Sequence, residues 1–251
     1  MSKRRAWCAA LSLALLAFAA ATVAACGGDD DDAPAGGQTP AAQPTATAAG
    51  VPGNASPQTD FGKRINDAKV PEELADGQKI GKADARLVIE MYEDFGCPHC
   101  LEFTALVEPM LMNEYVATGK AQLVYRFFPL RQLTAVAAIG SYCAAEQDRF
   151  WAFHRMLFIA QAEANEKKGP ALTEAFTVDA LTKLAGNLGL DTAKFTTCLT
   201  SDAAIAAVQA ELKSANDLAL PGTPSFVING KVTNTPATVS EWRKLLDGLL
   251  K

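Results

Sequence analysis

Residues 87–106 read Leu-Val-Ile-Glu-Met-Tyr-Glu-Asp-Phe-Gly-Cys-Pro-His-Cys-Leu-Glu-Phe-Thr-Ala-Leu and give the strongest indication of the fold in this sequence. Residues 87–92 form a nearly continuous apolar run that is typical of a buried strand, and residues 101–117 are predicted to be helical. Cys97 and Cys100 therefore lie at a strand-to-helix junction. The unpaired N–H groups and the dipole of a helix N-terminus favour a thiolate there, and the thiolate is the reactive form of cysteine.

The residues around this cysteine pair favour redox chemistry over metal binding. Pro98 suits the first helical turn, and His99 can add a positive charge beside Cys97 when it is protonated. The alternative is that Cys97 and Cys100 supply half of a zinc site, but structural zinc normally takes four ligands, often from two such pairs. Because the chain has one C-x-x-C and two histidines, His99 and His154, we expect a redox pair with no metal and no other cofactor.

The first 60 residues are predicted to lie outside the folded domain. Residues 1–25 have a basic start and a short apolar core, which is the pattern of a secretory signal. They are followed by Cys26 in a Val-Ala-Ala-Cys-Gly sequence that resembles a bacterial lipobox. Cys26 is thus the expected lipidation site, whereas ordinary cleavage near Ala25 would leave it as a free thiol. Residues 26–60, rich in Ala, Gly, Pro and Thr, are expected to be a disordered tether.

These features predict an exported protein that is lipid-anchored at the cell membrane or on its periplasmic side. The formal net charge is −5, and removal of residues 1–25, which hold three basic and no acidic residues, makes it −8. An acidic chain without a basic stripe argues against nucleic-acid binding. Residues 61–251 are enough for one domain with a substantial core.

The elements after the cysteine motif predict a divided α/β domain. A second strand over 121–128 completes a strand–helix–strand unit, whose two strands should be parallel neighbours. Pro109 should kink the helix between them. Residues from about 130 to 217 are predicted to form a helical insertion. Beyond it, a hairpin across Asn229-Gly230 and a helix over 239–250 are expected to end the chain.

About residues 80–251 resemble the DsbA-like thiol–disulfide oxidoreductases of the bacterial cell envelope, and most of all their lipid-anchored or membrane-tethered branch. The resemblance is carried by four segments, which are residues 92–100 with Cys-Pro-His-Cys, 143–154, 188–198, and 222–226 with Gly-Thr-Pro-Ser-Phe. It implies a thioredoxin-like core, βαβ and then ββα, with a helical insertion between the halves.

The resemblance also implies roles for individual residues. Cys97 is expected to be the exposed nucleophile-side cysteine and Cys100 its buried partner, with Pro98 and His99 tuning the pair. Thr223 and Pro224 match a cis-proline loop that faces the cysteines and binds the substrate backbone. The alternative for Pro224 is an ordinary proline at the start of a strand.

Two further cysteines, Cys143 and Cys198, remain when Cys8 leaves with the signal and Cys26 is acylated. In an exported, disulfide-permissive setting we predict that they form a structural disulfide. The alternative is a pair of buried free thiols. His154 lies on an apolar helix and is interpreted as a packing residue.

One departure from the family pattern concerns a buried acid that assists proton transfer at the inner cysteine. It commonly lies six residues before the first cysteine, a position that Met91 occupies here. Glu90, Glu93 and Asp94 are the candidates to replace it, and the alternative is that all three are solvated.

The expected function is oxidation of thiols in exported proteins, by a monomer that a membrane redox partner recycles. The alternatives are a reductase or isomerase on the same fold, and a non-catalytic redox-sensing binding module. The isomerase is disfavoured because residues 27–80 look too short and too disordered for an N-terminal dimerisation domain.

Overall fold

The computed structural model describes residues 59–167 and 170–251. The predicted signal, the lipidation site at Cys26 and nearly all of the predicted tether lie outside the described residues. Within the described ranges, every helix is too short or too polar to cross a membrane.

Six strands of the described chain form one sheet. They are β1 (Ala75–Asp76), β2 (Lys79–Ile80), β3 (Leu87–Glu93), β4 (Ala121–Phe127), β5 (Ser225–Ile228) and β6 (Lys231–Thr233). The helices are α1 (Asp60–Asp67), α2 (Pro98–Leu106), α3 (Glu108–Leu111), α4 (Gln132–Ala145), α5 (Phe150–Glu166), α6 (Ala171–Ala175), α7 (Val178–Asn187), α8 (Thr192–Leu199), α9 (Asp202–Asp217) and α10 (Val239–Leu249).

The centre of the sheet confirms the predicted strand–helix–strand unit. The strand order is β1-β2-β4-β3-β5-β6, and β3 runs parallel to β4. β5 lies antiparallel on the other side of β3, with Ser225 opposite Tyr92. The predicted hairpin joins β5 to β6, and both turn residues have the positive φ that this turn needs, 50° at Asn229 and 77° at Gly230. The loop before β5 is thereby placed beside the end of β3.

The helical insertion is also confirmed. Helices α4 to α9 lie between β4 and β5, so the fold is α/β with a thioredoxin-like core divided by helices. An aromatic cluster joins the sheet to the insertion, since Phe95 stacks on Tyr125 of β4 with ring centroids 5.3 Å apart and also packs on Phe158 of α5. Burial of such rings supplies much of the hydrophobic stabilisation of a domain of this size.

The segment before β3 holds more structure than the sequence suggested. Residues 59–80, the last part of the stretch that looked too disordered for a dimerisation domain, form α1, β1 and β2. Thr59 caps α1 by accepting a hydrogen bond from the Gly62 N–H at 2.9 Å. Ile65, on the inner face of α1, is fully buried, and the α1 backbone is bound by Arg155 of α5. A helix of two turns is too short to show a clear sequence period, and it is stabilised by α5 instead.

The helix after the cysteine motif is broken, as Pro109 predicted. α2 ends at Leu106, and a new helix starts at Glu108 after the irregular Val107 (φ −106°). The following turn is wider than an α-helix, because the Ala117 N–H bonds to the carbonyl of Met112, five residues back. The break directs Glu108 into the core, where it is 4% exposed.

Candidate active site

Cys97 lies where β3 leads into α2. Its φ and ψ of −82° and 122° make it the N-cap of the helix, and Pro98 occupies the first helical position. The Cys97 N–H bonds to the Asp94 carbonyl at 3.0 Å, and the Cys97 carbonyl accepts from the Leu101 N–H at 3.1 Å. The sulfur therefore lies over the unpaired N–H groups of the first turn of α2.

The two thiols of the motif have opposite acidities. The pKa of the Cys97 thiol is lowered to about 5, most of all by hydrogen bonding from the Cys100 side chain. The Thr223 side chain and the backbone N–H groups of Cys100 and His99 lower it further, and burial opposes them. Burial raises the pKa of the fully buried Cys100 well above its usual value. At neutral pH the reduced pair thus consists of a thiolate at Cys97 and a thiol at Cys100.

His99 acts on this pair through its backbone. Its side chain is exposed, and the ring Nδ1 lies 3.3 Å from the Glu102 carboxylate on the same helix. The backbone N–H of His99 is among the groups that lower the pKa of Cys97. The His99 ring therefore has the Glu102 carboxylate as its partner on the same helix.

The loop before β5 faces the cysteines. The Thr223–Pro224 peptide bond is cis, and the Cys97 sulfur lies 3.2 Å from the Thr223 carbonyl oxygen. The Ser225 hydroxyl donates to the Gly222 carbonyl at 2.6 Å and closes the loop behind Pro224. The antiparallel pairing of β5 with β3 positions this loop, although 126 residues separate Thr223 from Cys97.

The three candidate acids occupy three different environments. Glu90 faces the opposite side of the sheet from Met91. The Arg126 guanidinium donates to the Glu90 carboxylate through Nη2 at 2.6 Å and through Nε at 2.9 Å. Asp94 is buried and accepts hydrogen bonds from the Gly96 N–H, the Leu130 N–H and the Thr134 hydroxyl at 2.6, 2.6 and 2.8 Å. Neither carboxylate is free to exchange a proton with Cys100.

Glu93 is the acid that lies beside the cysteines. It follows Met91 by two residues, so it points to the same face of the strand as the position where the acid was expected. Its side chain is 1% exposed, and neither carboxyl oxygen has a hydrogen-bond partner among the described residues. Burial, then the nearby Glu108 and Cys97, raise the pKa of Glu93 well above its usual value. A neutral carboxyl group therefore lies next to the buried thiol.

Asp94 and Gly96 shape the loop that holds Cys97. Asp94 ties this loop to the start of α4, and the Arg131 guanidinium donates to the Gly96 carbonyl at 2.9 Å. A Cβ atom on Gly96 would collide with that guanidinium and lie 2.7 Å from the Thr134 methyl group. Sequence reasoning missed this clamp, although a glycine directly before the first cysteine was a signal for it.

The remaining two cysteines of the described residues are bonded to each other. Cys143 of α4 and Cys198 of α8 form a disulfide with a Cα–Cα distance of 5.7 Å and a sequence separation of 55 residues. Over the described ranges, no group of three or more His, Cys, Asp or Glu side chains is arranged to hold a metal ion.

Sequence reasoning also missed a buried pair behind the active site. His154, interpreted as a packing residue, does pack among aromatic rings, but its Nε2 also lies 3.7 Å from the Glu108 carboxyl. Both side chains are almost fully buried. The two residues are far apart in sequence, so no motif could have indicated their contact.

Residues 74–248 match the model of a protein family described as Thioredoxin. A Bacillus anthracis protein named probable disulfide bond formation protein D is 29% identical over 161 residues, which cover 62% of this chain and 71% of that protein. The crystal structure of oxidised BdbD from Bacillus subtilis is 21% identical, with a TM-score of 0.60 over 69% of this chain and 92% of that one. The crystal structure of Wolbachia pipientis alpha-DsbA1 is 22% identical, with a TM-score of 0.59 over 68% and 89%.

Proposed function

We propose that this protein oxidises the thiols of exported proteins through a Cys97–Cys100 disulfide. The chain belongs to the thioredoxin family and is a DsbA-like thiol–disulfide oxidoreductase, and the proposal starts from that membership. The observation that carries this direction is the lowered pKa of the Cys97 thiol, to which the Cys100 side chain contributes most and the backbone N–H groups of the first helical turn contribute further. Whatever stabilises the Cys97 thiolate stabilises the reduced enzyme, and an enzyme with a stable reduced form is a strong oxidant.

The first step is attack of a substrate thiolate on the Cys97 sulfur. The Cys97–Cys100 bond breaks as the mixed disulfide forms, and the bonding electrons leave on the Cys100 sulfur. A second substrate thiolate then attacks the substrate sulfur of the mixed disulfide, and Cys97 departs as a stable thiolate. The substrate has lost two electrons and two protons. The enzyme keeps both electrons, Cys100 carries one proton, and the other proton is released to solvent.

Glu93 is the proton donor to Cys100 in this scheme. Burial makes the Cys100 thiolate a poor leaving group, because its pKa is raised, so cleavage is assisted by a proton. Glu93 lies close enough to Cys100 for its charge to raise the pKa of that thiol further. Glu90 and Asp94 are bound to other groups, which leaves Glu93 for this role.

The Thr223–Pro224 loop is the proposed substrate-binding element. The Thr223 carbonyl is within 3.2 Å of the Cys97 sulfur, so a polypeptide attached to that sulfur would run beside the loop. An extended substrate backbone can add to an exposed strand-like edge through main-chain hydrogen bonds. This contact is independent of substrate sequence, as a general thiol oxidase requires.

The cellular setting remains the one proposed from the sequence. The lipobox-like sequence at Cys26 supports a lipid anchor, and the relatives named disulfide bond formation proteins support an envelope location with a membrane redox partner that reoxidises the pair. We further propose that the protein acts as a monomer, with Thr223, Pro224 and both reactive cysteines supplied by one chain.

The reduction potential of the Cys97–Cys100 pair tests the direction. The full chain, with Cys8 and Cys26 replaced by serine, is equilibrated in glutathione buffers, and its free thiols are counted. We expect a potential well above that of the glutathione couple, towards the roughly −120 mV of strongly oxidising enzymes. A potential near the roughly −270 mV of thioredoxin would replace the oxidase with a reductase.

A further inference from the structure

We propose that Asp94 is a positioning residue for the reactive cysteine pair. Asp94 holds the loop before Cys97 together with Arg131 and Thr134 from the start of α4, and we call these three residues the Asp94 clamp. The clamp keeps the Cys97 sulfur over the N-terminus of α2 when the disulfide is open. The inference rests on the role proposed above for Cys97 and extends it to the residues that hold that cysteine in place.

The Asp94 carboxylate joins two loops that are distant in sequence. Its Oδ1 accepts a hydrogen bond from the Gly96 N–H at 2.6 Å. Its Oδ2 accepts from the Leu130 N–H at 2.6 Å and from the Thr134 hydroxyl at 2.8 Å. The side chain is 2% exposed, and hydrogen bonds to a carboxylate are stronger than those between neutral groups. One side chain thus fixes the loop before α2 against the loop before α4.

The two peptide groups that flank Cys97 are both held. On one side, the Cys97 N–H donates to the Asp94 carbonyl at 3.0 Å. The carbonyl of the same peptide group, that of Gly96, accepts from Arg131 Nη2 at 2.9 Å. On the other side, the Cys97 carbonyl accepts from the Leu101 N–H at 3.1 Å. Because both peptide planes are fixed, the backbone dihedral angles of Cys97 are fixed as well, and its sulfur moves only by rotation about the Cα–Cβ bond.

The clamp requires a glycine at position 96. A Cβ atom there would overlap Arg131 Nη2 and lie 2.7 Å from the Thr134 methyl group. Without a Cβ atom, the guanidinium reaches the Gly96 carbonyl and the Thr134 hydroxyl reaches Asp94. Space for the clamp is therefore the reason for glycine at this position.

The clamp is expected to have most effect on the reduced form of the pair. Cys97 and Cys100 are unbonded in this structure, and the bonds of the clamp are formed. In the oxidised form, the disulfide bond itself holds the Cys97 sulfur beside Cys100. In the reduced form, the sulfur stays near the N–H groups that stabilise its thiolate only if the backbone directs it there. Contacts that stabilise the reduced form more than the oxidised form make the pair a stronger oxidant.

The charge of Asp94 would have the opposite effect, and this difference separates two explanations of its role. A carboxylate near a thiolate disfavours the thiolate, so a loss of charge alone would lower the pKa of Cys97. A loss of positioning would raise that pKa, because the thiolate would no longer be aligned with the N–H groups. Asp94→Asn keeps the size of the side chain. Whichever way the amide is turned, its NH2 group meets a backbone N–H that needs an acceptor.

Alkylation of Cys97 as a function of pH is the first measurement, on the reduced full chain with Cys8 and Cys26 again replaced by serine. The native midpoint is expected near pH 5, at the lowered pKa of Cys97. Asp94→Asn should raise the midpoint by about one pH unit, which is about tenfold less stabilisation of the thiolate at pH 7. The equilibrium constant for oxidation of glutathione by the protein should fall by the same factor, or about 30 mV in reduction potential. A midpoint that stays or moves downwards overturns the proposal.

Glu90→Gln is the matched control. Glu90 also carries a carboxylate near the end of β3, but it faces the other side of the sheet, where it pairs with Arg126. The control should retain the native midpoint and reduction potential, because Glu90 does not contact the loop before Cys97. A shift in Glu90→Gln as large as that in Asp94→Asn would overturn the proposal, since loss of either carboxylate would then have the same effect.

A second pair of variants tests the clamp without a change of charge. Thr134→Val removes the hydroxyl that donates to Asp94 and keeps the size of the side chain, whereas Thr134→Ser keeps the hydroxyl. Valine should raise the alkylation midpoint by about half a pH unit, or about threefold in thiolate stabilisation, and serine should retain the native midpoint. If Asp94→Asn does not fold, this pair decides the matter, and equal midpoints in the two variants overturn the proposal.

Urea unfolding of the oxidised and reduced forms separates positioning from a loss of stability. A merely structural role of Asp94 would lower the free energy of unfolding of both forms equally in Asp94→Asn. The alkylation midpoint and the reduction potential would then stay at their native values. The clamp requires that the reduced form loses more stability than the oxidised form, so an equal loss in the two forms overturns the proposal.

These measurements remain informative if the proposed function fails. Alkylation needs no physiological substrate, so the midpoints can be compared whether the enzyme is an oxidase or a reductase. A native potential near that of thioredoxin would remove the oxidase, and the clamp would stand if Asp94→Asn still raised the midpoint. A high native potential with an unmoved midpoint in Asp94→Asn would keep the oxidase and overturn the clamp.

Discussion

The two cysteine pairs of this protein lie at opposite ends of helices and differ accordingly. Cys97 caps the N-terminus of α2 with Cys100 in the first turn, whereas Cys143 and Cys198 lie in the last turns of α4 and α8. The positive end of the helix dipole favours a thiolate at the first pair, and the negative end disfavours one at the second. We infer that position on a helix contributes to the different roles proposed for the two pairs, one reactive and one structural.

The pairs also differ in the length of chain that they enclose. The reactive cysteines are three residues apart, while the bond between Cys143 and Cys198 spans 55 residues. In the chain-entropy model, closing a loop of that length raises the free energy of the unfolded chain by on the order of 4 kcal/mol, because it removes conformational entropy. The structural disulfide thus stabilises the helical insertion, and the reactive pair can open and close with less effect on the fold.

The largest effect is expected from Cys97→Ser. Oxidation of a reduced test peptide with two cysteines should fall to the uncatalysed level, because no mixed disulfide can form at Cys97. Cys143→Ser is the comparison variant and should retain the reactivity of the Cys97–Cys100 pair. An uncatalysed rate in the unmodified protein as well, unchanged by Cys97→Ser, would instead favour the non-catalytic binding role.

Removal of the structural pair should act on stability alone. The double variant Cys143→Ser with Cys198→Ser is expected to lose on the order of 4 kcal/mol in the free energy of unfolding, measured by urea titration. The alkylation rate of Cys97 should stay the same in the folded protein. If Cys143 and Cys198 of the native protein are alkylated without any reductant, the disulfide itself is contradicted.

The smallest expected effect is the pH dependence of the Cys97–Cys100 pair. The lowered pKa of Cys97 stabilises the reduced form above about pH 5, and this stabilisation is lost as the pH falls through that value. Alkylation of Cys97 should therefore increase with a midpoint near pH 5. The reduction potential should change by about 30 mV per pH unit above that pH, where one proton is taken up, and by about 59 mV below it. A midpoint near the ordinary thiol value would mean that the Cys100 side chain and the N–H groups of the first helical turn do not stabilise the Cys97 thiolate.

The sequence predicted those parts of the fold that depend on neighbouring residues. The apolar run of β3, the proline in the first turn of α2, the break at Pro109 and the Asn229-Gly230 turn each express a local backbone preference. Short elements carry too few residues to show such a preference, and for this reason α1 and the β1–β2 hairpin were missed.

In the candidate site, too, the residues that depend on local sequence were predicted, and those that depend on distant contacts were not. Cys97 and Cys100 were identified because three residues suffice to place both at one helix end. The choice among Glu90, Glu93 and Asp94 required the structure, because the environment of each carboxyl group comes from distant segments, such as Arg126 of β4 and Thr134 of α4.

For this protein, the sequence alone predicts a redox pair at a strand-to-helix junction, because adjacent residues set the backbone geometry and the thiol acidity there. Its tertiary structure was needed to show that Glu93 is the buried acid near that pair and that Glu108 lies against His154 behind it. The reason is physical: the state of a buried acid depends on what excludes water from it and what charge lies near, and in this protein those groups come from β3, α3 and α5, far apart in the chain.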